Sequence, residues 1–124
     1  MDQPSIRELV TAVRDFLETK AMPELNGHTA FHARVAANAL SIVARQLEFY
    51  GHASEEETKR LIALLGHDGT LEDLNRELCA RIRANEFTLE TPGLAAHLEA
   101  TTRDKVAIDQ PHYSGLKQAL ARSL

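Results

Sequence analysis

Between residues 4 and 22, apolar side chains recur at Ile6, Leu9, Val10, Val13, Phe16 and Leu17, steps of three and four that place them on one side of a helix. Ser5, with Glu8 three positions later, supplies a capping box for its start. Pro23 and then Asn26-Gly27 interrupt the pattern and predict a short connection. A second, longer helix is predicted from Thr29 to Tyr50, with Gly51 placed to end it. At about 100° per residue, Val35, Ala36, Ala39, Leu40, Val43 and Leu47 make its broad apolar face, opposite a narrow stripe of Arg34, Asn38, Ser41, Arg45 and Glu48. His28 and His32 fall on the apolar side.

Ser54 and the three glutamates that follow suit the positive end of a third helix, which Gly66 stops. After the turn His67-Asp68-Gly69, Thr70 and Asp73 form a capping pair for a fourth helix reaching Phe87, with Leu71, Leu74, Leu78 and Ile82 on its inner face. Pro92 and Gly93 mark an irregular link, and a fifth helix runs from about Leu94 to Asp109, before Pro111. No strand-type alternation and no internal repeat interrupts this series. The expected fold is all-α: one domain over residues 1–124, an antiparallel bundle of about five helices. Residues 111–124 are expected to form a C-terminal tail, with a short helical turn at LKQALARSL that could dock on a neighbour.

Composition narrows the class. A chain of 124 residues, 44% hydrophobic and 26% charged, can bury a core without metal or disulfide support. The formal net charge of −4 offers no basic field for a phosphate backbone, so nucleic acid is excluded as a partner. The single cysteine, Cys79, forms no intrachain disulfide, and the first residues show neither a basic nor an apolar leader pattern. The expected location is the cytoplasm. No apolar run approaches the ~18 to 20 residues that cross a bilayer, so no membrane span is expected.

Three sets of polar residues could carry chemistry. His28 and His32, four apart on one helix face, could share a metal in a site completed by His67 and Asp68 together with His97 or Asp104. Such a centre would make the chain a His/Asp metal-dependent hydrolase, and the His-Asp pair invites comparison with the HD phosphohydrolases. Gly66 and Gly69 bracket that pair in a tight turn, however, and no downstream ligand set is evident.

On the fourth helix, Asn75 and Arg81 project near the apolar face, while Arg76 and Arg83 line the outside. A buried amide or guanidinium without partners costs several kcal/mol, so Asn75 and Arg81 are expected to pair with His32, Glu77 or Asp104 in a network that sets helix register. The sharper reading makes His32, Asn75 and Arg81 a pocket for a carboxylate, phosphate or acyl-CoA-like ligand, with Arg81 as a two-pronged donor and His32 as a switchable proton. Cys79 reads as a small core residue rather than a nucleophile, and Arg103 and Lys105 are expected to face solvent. Neither a phosphate-binding glycine loop nor a nucleophile elbow is present, and no cofactor is implied.

Taken together, AFHARVAAN (30–38), LNRELCARIR (74–83) and HLEATTRDKVAIDQPHY (97–113) resemble a family of small all-helical bacterial domains of unknown function associated with aminoglycoside-phosphotransferase-like kinases and acyl-CoA dehydrogenases. The likeness covers nearly the whole chain. The family pattern falls on His32, Arg34 and Asn38, on the run Asn75 to Cys79, and on Arg81 and Arg83. Its usual Asn-Pro near the end is Gln110-Pro111 here. The resemblance implies company rather than a reaction: such domains occur beside or fused to kinase-like proteins and near acyl-CoA oxidation enzymes. Together with the acidic, motif-poor helical chain, this leads to the expectation of a non-catalytic accessory domain that binds a kinase-like or acyl-CoA dehydrogenase protein and could self-associate as a homo-oligomer.

Overall fold

The computed structural model of the chain describes residues 3–122. Five α-helices follow one another, α1 (Ile6–Phe16), α2 (Gly27–Leu65), α3 (Leu71–Arg83), α4 (Leu94–Asp109) and α5 (Ser114–Arg122). A π-helical turn (Leu17–Ala21) and a 3-10 turn (Met22–Glu24) prolong α1. No strand occurs among the described residues, and the fold is all-α.

These are not the same five helices that the pattern predicts. The predicted second and third helices are one continuous α2 of 39 residues, and Gly51 lies inside it. A glycine costs a helix only about 1 kcal/mol relative to alanine, and breaking the helix there would strand several backbone hydrogen bonds. Ser54 accordingly does not cap a new helix; its hydroxyl donates to the carbonyl of Gly51 at 3.0 Å. Gly66 does end α2, because there the chain turns into the left-handed region at φ +84, which a side chain would resist.

Other local signals operate as expected. Ser5 and Glu8 form the reciprocal capping box at α1, and the Thr70 hydroxyl accepts from the Asp73 amide at 3.1 Å to cap α3. The fourth predicted helix stops earlier than Phe87. Asn85 takes a left-handed conformation (φ 61), and the amides of Asn85 and Glu86 return to the carbonyls of Ile82 and Arg81 in a Schellman closure. Residues 114–122, expected as tail, form α5, with Leu116 buried.

The chain divides into two compact units, Met1–Tyr50 and Gly51–Leu124. In the first, α1 and the opening of α2 make an αα-hairpin, tied at its open end by Arg7 and Glu48 at 3.3 Å. Its seam is built from small residues: Ala33 and Ala37 are buried, with Ala30, Ser41 and Ala44 partly covered along the same side of α2. Val10, Thr11, Arg14, Leu17 and Ala21 are the partly covered side chains of α1 and its π turn. The apolar face assigned to the core from sequence, by contrast, stays open. Val35, Val43 and Leu47 are exposed, and α1 contains no buried residue. The reason is geometric: two helices bury only one seam between them, and the alanine stripe permits the closer approach.

The second unit has a leucine core. Leu61 and Leu65 of α2, Leu74 and Leu78 of α3 and Leu94 of α4 are buried together, and Ile62, Leu64, Leu71 and Phe87 pack around them.

Candidate functional site

The turn between α2 and α3 is held by side chains rather than left loose. Asp68 accepts from the adjacent Gly69 amide at 2.7 Å, a side-chain bond within the turn. His67 bridges outward from it, its Nδ1 facing the Asp68 carbonyl at 2.9 Å and its Nε2 facing both oxygens of Glu77 at 2.8 and 3.0 Å. Both acceptors demand an N–H, so the site favours the doubly protonated ring. The Asp68 carbonyl first, then the Glu77 carboxylate, raises the His67 pKa above its ordinary value.

Glu77 also receives Arg81 at 3.0 Å, one helical turn further along α3. Arg81 reaches Glu86 at 3.8 Å and lies over the Phe87 ring at 5.4 Å. His67, Glu77, Arg81 and Glu86 thus alternate in charge, and each answers its neighbour. The expected pairing of Arg81 with Glu77 is present, and this chain clips the end of α2 to α3. Asn75 is partly buried on the same helix.

A second cluster in the same unit escaped the sequence reading. His97 on α4 is only 2% exposed. Arg60 of α2 donates its Nε–H to His97 Nδ1 at 3.0 Å and its Nη2 to the Thr101 hydroxyl at 3.1 Å. Accepting at Nδ1 places the ring hydrogen on Nε2 and requires the neutral form. Burial first, and the Arg60 charge second, lower the His97 pKa. The signal was available in Leu94, His97 and Thr101, whose steps of three and four lie on one helical face, but Arg60 sits 37 residues away and nothing local points to it.

Between α4 and α5 lies an open cavity of about 720 Å³, bordered by Glu99, Thr102, Arg103, Tyr113, Leu116 and Arg122, among others. Arg103 is therefore a partly buried wall residue and not the solvent-facing side chain expected, because α5 folds back beside it. Cys79 likewise departs from expectation. It is exposed, one position past buried Leu78, since the covered stripe of α3 runs through Leu74 and Leu78.

The remaining nominated residues are placed simply. His28 and His32 are both exposed on the first unit's stretch of α2, where the His32 ring meets the Phe31 ring edge-on at a centroid distance of 5.6 Å. Among the described residues no group of three or more His, Cys, Asp or Glu side chains is arranged to hold a metal ion. No helix is long and apolar enough to cross a membrane among those same residues.

Residues 23–113 match the family described as a domain of unknown function, DUF6285. The match takes in α2, α3 and α4 together with the two clusters just described, while α1 and α5 lie outside it. No curated protein and no solved structure matches the chain. With the larger part of its length matched, the chain belongs to the DUF6285 family.

Proposed function

We propose that this domain works by binding protein rather than by chemistry, as a helical accessory module. One observation carries the reading: the first unit leaves large apolar side chains uncovered on both of its helices, with Ile6 68% and Phe16 58% exposed on α1 and Val43 and Leu47 exposed on α2. Contiguous apolar surface of this kind marks interaction sites. The paired polar groups support the same view, because His67, Glu77 and Arg81, and separately Arg60, His97 and Thr101, satisfy one another.

The partner we propose is the kinase-like or acyl-CoA dehydrogenase protein implied by the resemblance of segments 30–38, 74–83 and 97–113, in a bacterial cytoplasm. Co-purification of the domain with each candidate at micromolar concentration tests this. A stable complex is expected, and its absence with both proteins folded overturns the proposal.

A second reading, a small-molecule site for a carboxylate, phosphate or acyl-CoA-like ligand, draws on the α4–α5 cavity. The sequence nominated His32, Asn75 and Arg81 for that role. Because Arg81 already answers two carboxylates, we propose the ligand contacts at Arg122 and Tyr113, which border the cavity. Titration calorimetry with acetyl-CoA and with inorganic phosphate should then show binding that Arg122→Ala weakens; no heat with either ligand removes this reading.

A further inference from the structure

We infer that the open face of the α1–α2 hairpin is covered by a second copy of this chain, the two hairpins meeting about a two-fold axis to form a four-helix bundle. The inference rests on the protein-binding reading above: a second copy takes this face, and the kinase-like or dehydrogenase protein binds the resulting dimer.

The uncovered residues are not scattered. On α1 they are Ile6, Leu9, Val13 and Phe16, in steps of three, four and three. On α2 the stripe is Ala36, Leu40, Val43, Leu47 and Tyr50, in steps of four, three, four and three, with all but the partly covered Leu40 exposed. This is the seam pattern by which helices pack in bundles. At about 100° per residue, each stripe lies roughly a quarter-turn from the side already used in the hairpin seam, and in the same rotational sense on both helices. In antiparallel helices, equal displacements of the same sense fall on the same side of the pair. The two stripes are therefore neighbours and form one continuous face, half of a four-helix core.

Charge and area suit a second copy. None of the nine residues in the two stripes is charged, so a two-fold axis brings no like charges together and the face offers nothing to steer a charged ligand. Ile6, Leu9, Val13, Phe16, Val43, Leu47 and Tyr50 are 43–68% exposed, and the face presents on the order of 600 Å², approaching the roughly 800 Å² per partner of a standard interface. His32, one turn before Ala36, stands at the end of this face nearest the interhelical turn.

Sedimentation velocity on the full chain, from about 1 to 100 µM, tests the inference. The expected result is a concentration-dependent rise from the 13.7 kDa monomer to twice that mass. Val13→Glu and Leu47→Glu should each weaken association by about 100-fold or more, with helical circular dichroism retained. A wild-type chain that stays monomeric throughout overturns the inference without reference to any variant. So does a dimer that both folded variants leave intact, since the contact would then lie elsewhere. A monomeric wild type that still captures the kinase-like or dehydrogenase protein would sink self-association alone; a monomeric wild type that captures neither would sink the protein-binding reading as well.

Discussion

Leu61 and Leu74 are the most completely enclosed side chains of the second unit, at 0% and 1% exposed, and each touches the leucines of the opposing helix. Truncating either to alanine removes buried methyl groups and leaves a void, so urea unfolding should show a loss of about 2 to 5 kcal/mol. His97 and His67 act in opposite senses. His97 has a lowered pKa, so its contribution to stability is present above the ordinary histidine value near 6.5 and is lost as pH falls through its folded value. His67 has a raised pKa, so its contribution is complete below that ordinary value and is lost as pH rises through its folded value. Melting temperatures across pH 5 to 8.5 should therefore show His97→Gln flattening the acid decline of the wild type, and His67→Gln steepening it. A matched pH profile for wild type and His97→Gln would contradict the assignment. Cys79, exposed on α3, should react with a thiol reagent in the native protein at a rate close to that of the unfolded chain.

Elements obey local rules wherever the rule concerns backbone conformation. Gly51 and Gly66 look alike in sequence, yet one continues a helix and one ends it. Nothing lies within 4 Å of a Cβ built at Gly51, and its φ is not positive, so Gly51→Ala should raise stability by about 0.5 to 1 kcal/mol. Gly66 holds φ +84, and Gly66→Ala should lower stability by about 1 kcal/mol, because an L side chain is strained in that conformation. Thermal melts of the two variants should move in opposite directions. The α1 capping box was legible because Ser5 and Glu8 sit three apart and act only on their own turn. The merger of two predicted helices was not, because a mid-chain glycine followed by serine and glutamates is equally a stop and a start. What decides between them is whether the flanking turns stay hydrogen-bonded, a property of the assembled helix.

At the scale of the molecule, burial is unevenly divided. Large buried side chains gather in the second unit, at Leu61, Leu65, Leu74, Leu78 and Leu94, whereas the buried positions of the first, among the described residues, are Ala33 and Ala37. Native-state hydrogen exchange in dilute solution should find the slowest amides around the leucine core and much faster exchange along α1, which has no buried residue. The candidate sites divide along the same line: His28 and His32 belong to the first unit, and the His67 and His97 clusters to the second. The sequence by itself determined helical content, the capped starts of α1 and α3, the stop at Gly66 and the spacing of the apolar stripes. Each of these depends on a residue's own conformational range and on neighbours within one or two turns. Tertiary structure alone decided that an alanine seam is covered and a valine-leucine face left open, that Arg60 meets His97, and that Arg103 borders a cavity. Those outcomes depend on which surfaces come within reach after the chain reverses, and many helix faces of similar hydrophobicity compete for the same few places.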